Sequence, residues 1–183
     1  KDACDRDVVP TLVGYEDTPA SITCEGTRVW TYRYTACDNT TKADWTYTYT
    51  IDRTTALVPP TNGSSTVECL AAATDPGAPA TIKDACNRDV VPTLVGYVDT
   101  PNPITCEGTR VWTYRYTSCH PTITADWTYT YTIDLTTALV PPTNGSSTVE
   151  CLSAAVDPGA PATIKDACDR DVVPTLVGYV DTP

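Results

Sequence analysis

The sequence predicts an all-β chain of tandem immunoglobulin-like antiparallel β-sandwich repeats. Three observations predict it: near-exact repetition every 82 residues, four cysteines per period, and strands of strictly alternating aromatic residues. Lys1-Asp2-Ala3-Cys4 recurs as Lys83-Asp84-Ala85-Cys86 and as Lys165-Asp166-Ala167-Cys168. Residues 1–82 and 83–164 differ at 12 positions without insertion or deletion, so 183 residues are two periods and 19 further residues. Such self-similarity marks a repeat architecture, not one large domain.

A unit of about 80 residues has a small core and gains from cross-links. Each period supplies four cysteines: Cys4, Cys24, Cys37 and Cys69, then Cys86, Cys106, Cys119 and Cys151, with Cys168 opening a third set. An even number per repeat at fixed spacing reads as two disulfides and an oxidising compartment. Structural zinc fits poorly, because there is no Cys-x-x-Cys pair and His120 is the one histidine.

The clearest strand is Asp44-Trp45-Thr46-Tyr47-Thr48-Tyr49-Thr50-Ile51, with aromatic residues and Ile51 on one face and threonines on the other. Period two with β-branched and aromatic residues is a half-buried strand. Arg28-Val29-Trp30-Thr31-Tyr32-Arg33-Tyr34-Thr35 has the same pattern. With residues 36–43 as a hairpin loop, Tyr34 is expected opposite Trp45, Tyr32 opposite Tyr47 and Trp30 opposite Tyr49. Shorter strands are expected over residues 66–69, 80–86 and 93–98. The turn-rich stretch 59–65 reads as an inter-domain linker.

A folding unit would then span residues 63–144. Residues 1–62 would form a repeat lacking its first strand, and 145–183 the opening strands of a third. Both ends fall in mid-repeat, as in a window from a longer polypeptide, and neighbouring segments are expected to complete the exposed sheet edges. Strand direction in such a sandwich pairs Cys4 with Cys37, Cys69 with Cys106 and Cys86 with Cys119. Cys24, Cys151 and Cys168 would pair outside the window. A rival pairing joins Cys86 to Cys106 and Cys119 to Cys151.

The blocks Thr-Cys-Glu-Gly-Thr-Arg (from Thr23), Trp-Thr-Tyr-Arg-Tyr-Thr (from Trp30) and Asn-Gly-Ser-Ser-Thr-Val-Glu-Cys (from Asn62) extend the list of repeated motifs. Together they resemble the tandem immunoglobulin-like, hyalin-repeat-related repeats of large Bacteroidota cell-surface adhesins and gliding-motility-associated proteins. The resemblance covers all 183 residues. It implies export to the cell surface, through a type IX pathway, and a role in adhesion or in filaments. Many such repeats carry a Gly-Asn turn where this chain has residues 38–42 and 120–124.

The formal charge is −11, from 12 basic and 23 acidic residues, which excludes the basic stripe that nucleic acid requires. No apolar run has the length of a membrane span. No nucleophile–base pair, phosphate loop or zinc motif is present, so no catalytic or metal-ligating residue is assigned and the chain is not expected to be an enzyme. His120 is Asp38 in the preceding repeat, which suits a solvated loop residue. Calcium is the one cofactor considered, at Asp84 and Asp89, at Asp166, Asp169 and Asp171, or at Asp52 and Asp75 near the linker. Solvated turn carboxylates are the simpler reading of these. Asn39, Asn62 and Asn144 begin Asn-x-Ser/Thr sequons where glycan would attach. The ladders Thr46, Thr48, Thr50 and Thr128, Thr130, Thr132 read as the solvent face of a strand, with ice binding a remote alternative.

Repetition of this fidelity suits length, stiffness and multivalency. The expected function is an extracellular filament or stalk at a bacterial cell surface, each repeat advancing about 35–45 Å. The alternative is a set of spacer repeats in an adhesin whose binding head lies elsewhere. Expected partners are neighbouring copies or repeats of the same polypeptide, and surface glycans.

Overall fold

Strict alternation produces strands where it was expected. A computed structural model of the chain describes residue 1 and residues 5–181. Its strands are β1 (Thr11–Thr18), β2 (Gly26–Thr35), β3 (Lys42–Ile51), β4 (Gly63–Val67), β5 (Ile82–Lys83) and β6 (Asp89–Val90). They continue with β7 (Thr93–Thr100), β8 (Gly108–Thr117), β9 (Thr124–Ile133), β10 (Ile164–Lys165) and β11 (Asp171–Val172). Short 3-10 turns at Leu70–Ala72 and Leu152–Ala154 are the helical elements among the described residues. The architecture is the expected all-β, immunoglobulin-like repeat.

The chain divides into two compact units that cut across the sequence period. One holds Lys1–Thr61, Ala78–Leu94 and Tyr114–Trp127; the other holds Asn62–Gly77, Val95–Thr113 and Thr128–Pro183.

In the first unit β1, β2 and β3 form an antiparallel sheet in that order. Tyr32 stands opposite Trp45, Trp30 opposite Tyr47, and Arg28 opposite Tyr49. The register therefore differs by two residues from the one expected. The reason is a tighter turn: Ala36 N–H donates to Thr41 O at 2.9 Å, so β3 begins at Lys42. The Asp38 carboxylate closes this turn, accepting from the N–H and hydroxyl groups of Thr40 and Thr41. A shift of two leaves every side chain on its expected face.

The second sheet has the order β4-β9-β8-β7. Its edge strand β4 runs parallel to β9, with Gly63 opposite Tyr129 and Val67 opposite Ile133. This strand was expected at residues 66–69, and its start at Gly63 turns part of the supposed linker into sheet. Glycine permits the approach, since a Cβ at Gly63 would overlap the Tyr129 ring. Cys69 does not end the strand; it precedes the 3-10 turn.

The expected strand over 80–86 is reduced to the two-residue pair β5–β6. Asp84 dictates this. Its Oδ1 accepts the N–H groups of Cys86 and Arg88 at 2.8 and 3.0 Å, and Asn87 takes a left-handed φ of 61° at the tip. Asp166 and Asp169 repeat the device between β10 and β11. In the second unit Ala73, Ile104 and Ile133 form a core cluster, with Val67, Leu70 and Tyr131 packed against it.

Candidate functional site

Two features of the fold have functional content: where the disulfides go, and where aromatic surface stays uncovered. Cys24 is bonded to Cys119, 95 residues away, and Cys69 to Cys168, 99 residues away. Both spans exceed the 82-residue period, so each bond staples one repeat to another. This corrects the pairings of Cys69 with Cys106 and of Cys86 with Cys119, and the rival set as well. Sandwich geometry within a single repeat was the wrong frame, because the cysteines meet across repeats. Cys24 and Cys168, expected to pair outside the window, are bonded within it. Cys37, Cys86, Cys106 and Cys151 are exposed free thiols. Cys4, the expected partner of Cys37, lies outside the described residues.

The Cys24–Cys119 bridge sits in a charged setting. Arg53 Nη1 lies 3.2 Å from Cys119 Sγ and 2.9 Å from Asp84 Oδ2, and both of these charged side chains are almost wholly buried. Arg88 reaches Asp84, Cys119 Sγ and the carbonyl of Thr23. Hydrogen bonds from Arg53 hold the Asp84 carboxyl well below the usual carboxylate range. His120, expected in solvent, donates or accepts at both ring nitrogens: Nε2 is 2.6 Å from Glu25 and Nδ1 2.7 Å from the Thr122 hydroxyl.

An arginine marks each position of the Cys24–Cys119 type, bonded or not. Arg88 against Cys119 has its counterpart one period earlier in Arg6 against Cys37. One period later, Arg170 donates to Thr105 O at 2.5 Å and lies 3.7 Å from Cys106 Sγ. The free thiols Cys37 and Cys106 thus occupy the two halves of the environment that Cys24 and Cys119 share.

The aromatic faces differ sharply between twin sheets. In the second sheet, residues 61–80 cover the face. Thr61 O accepts Trp127 Nε1–H at 2.9 Å, Ala73 O accepts Trp112 Nε1–H at 3.3 Å, and Ala80 O accepts the Tyr116 hydroxyl at 2.6 Å. Trp127 is 8% exposed and Tyr116 wholly buried. In the first sheet, the equivalent Trp45, Tyr47 and Tyr49 are 49–54% exposed, and β3 pairs only with β2 among the described residues.

Ion pairs brace both sheets. Asp17 binds Arg28 and Asp99 binds Arg110 in forked geometry at 2.7–2.8 Å, with each guanidinium over a tyrosine ring. Asp44–Arg33 and Asp126–Arg115 repeat the fork on the opposite face. The arginine hydrogen bond lowers the pKa of each of these carboxyls.

The residues considered for calcium are engaged otherwise in several cases. Asp84 and Asp166 shape their hairpins, Asp89 pairs with Lys83, and Asp171 with Lys165. Among the described residues no cluster of three His, Cys, Asp or Glu side chains is placed to hold a metal. Of the sequon asparagines, Asn39 takes a left-handed φ of 57° in its turn, Asn62 Oδ1 accepts the Thr128 N–H, and Asn144 is exposed. No helix among the described residues is long and apolar enough to cross a membrane.

Disulfides of this kind belong to an oxidising, extracellular compartment. No curated protein and no solved structure matches the chain. A family model described as the HYR-like domain with 4 cysteines matches it three times in tandem, over residues 1–51, 57–133 and 139–183. With nearly the whole length covered, the chain belongs to the family of HYR-like domains with four cysteines.

Proposed function

We propose that this chain is the structural repeat of an extracellular filament or stalk at a cell surface. The supporting observation is the reach of the disulfides, whose spans of 95 and 99 residues tie each repeat to later ones. Covalent staples between repeats resist the unfolding of any one repeat under tension, which suits a load-bearing filament. The reading assigns no catalysis, no metal and no nucleic-acid partner. The excess of acid over base in the sequence, 23 to 12, keeps separate filaments from collapsing together.

Electron microscopy of the purified chain under mildly oxidising conditions tests the reading. Ordered fibres with a repeat along their length support it. Chains that stay monomeric at high concentration support the spacer reading instead.

A further inference from the structure

We propose that the Cys24–Cys119 bond is a thiol–disulfide exchange site. A small-molecule thiol bonds to Cys24 there and frees Cys119 as a thiolate held by Arg53 and Arg88. The site is independent of the filament reading and would serve a filament or a spacer alike.

One sulfur of this bridge is prepared for negative charge. Arg53 Nη1 lies 3.2 Å and Arg88 Nη2 2.8 Å from Cys119 Sγ. A single carboxylate fixes both guanidiniums, since Asp84 Oδ2 accepts Arg53 Nη1–H at 2.9 Å and Arg88 Nε–H at 3.0 Å. Arg88 is anchored further on the carbonyl of Thr23, and Asp84 on the N–H groups of Cys86 and Arg88. The side chains of Arg53 and Asp84 are 4% and 2% exposed, so solvent ions screen them weakly. Arg53 Nε and Nη2 have no hydrogen-bond partner among the described residues. Two positive groups and one negative therefore meet at an uncharged disulfide. A Cys119 thiolate supplies the missing counter-charge, and a buried charge without one is costly. The nearby Glu25 carboxylate is taken by His120, 2.6 Å from Nε2. Cys119 is exposed and Cys24 half-buried, which leaves the bond open to a small thiol.

The other bridge is set the opposite way. Cys69 Sγ lies 3.5 Å from Ala167 O and Cys168 Sγ 3.3 Å from Glu68 O, so both sulfurs face the negative ends of carbonyl dipoles. Exchange quickens as the pKa of the leaving thiol falls, and a neighbouring arginine lowers it. The incoming thiolate attacks Cys24 Sγ, forming a mixed disulfide. The bond to Cys119 breaks, and its electron pair leaves on Cys119. A second small thiolate then attacks the mixed disulfide and releases Cys24. Two small thiols are thereby oxidised to one disulfide while the protein bridge takes up two electrons. The outcome unlinks Cys24 from Cys119 and leaves the Cys69–Cys168 staple in place.

The full chain, its free thiols blocked with N-ethylmaleimide, is treated with reduced glutathione, quenched in acid and mapped by mass spectrometry. Glutathione is expected on Cys24, with Cys119 free, while Cys69–Cys168 is still intact. Arg53→Leu takes the residue of the next period, Leu135. It is expected to keep the wild-type circular dichroism and to slow the opening of Cys24–Cys119 by roughly tenfold. Should Arg53→Leu not fold, Arg88→Gln is read by the same measure. Glutathione on Cys119, equal opening of the two bridges, or an unchanged rate in the folded variant would overturn the inference.

Discussion

Replacing Trp127 and its twin Trp45 by alanine in turn isolates what the covering segment contributes. The two residues occupy equivalent positions in identical local sequence, but Trp127 is 8% exposed and Trp45 50%. A tryptophan side chain has about 250 Å² to bury, so the difference is about 105 Å². At roughly 25 cal/mol per Å² this is about 2.6 kcal/mol. The Trp127 hydrogen bond to Thr61 O adds about 1 kcal/mol. Trp127→Ala should therefore cost about 3.6 kcal/mol more than Trp45→Ala, which at the same rate costs up to about 3 kcal/mol. Urea unfolding of the dilute, thiol-blocked chain, followed by circular dichroism, measures both. With a slope of about 2–3 kcal/mol per molar urea, the midpoint should fall by about 1.5 M more for Trp127→Ala than for Trp45→Ala. Equal losses would refute the reasoning, because they would mean that β3 is covered in the isolated chain.

Other substitutions and conditions separate the remaining forces. Ile133→Ala empties the core cluster beside Ala73 and Ile104 and should cost about 2–5 kcal/mol in the same urea assay. Cys24→Ser opens a loop of 95 residues; chain entropy puts the loss near 4.7 kcal/mol, read as a lower melting temperature in calorimetry. Acid should destabilise the fold in a defined window. Arg110 lowers the Asp99 pKa in the folded state, so its stabilisation is complete above the unfolded value of about 3.9 and is lost as pH falls through the folded value. Melting temperature should be level from pH 7 to about 5 and fall below about 4, and Asp99→Asn should flatten part of that fall.

The strands themselves were legible because alternation is a local property. Trp30, Tyr32, Trp45, Tyr47 and their twins lie on the faces that period two assigns them. The hairpin register was not legible, since it turned on a short backbone-closed turn, Ala36 N–H to Thr41 O, which recurs as Ser118 N–H to Ile123 O although His120 replaces Asp38. Strand β4 was hidden for a deeper reason. Residues 63–67 and 145–149 are the same sequence, yet only the first is a strand, so its structure belongs to the acceptor and not to the segment. The bridges were beyond the sequence in the same way. Spacing gave four equivalent cysteine positions per period, but choosing partners requires knowing how one repeat meets the next. Arg53 carried a signal of its own. It is one of the 12 differences between periods, with Leu135 as its twin, and it is buried against Asp84.

The central claim is that the covalent links run between repeats. Tryptic and chymotryptic mapping of the unreduced chain tests it most directly. The account predicts cross-linked peptides joining Cys24 to Cys119 and Cys69 to Cys168. Recovery of Cys69 joined to Cys106, or Cys86 joined to Cys119, would contradict it and return each repeat to a self-contained, internally bonded domain.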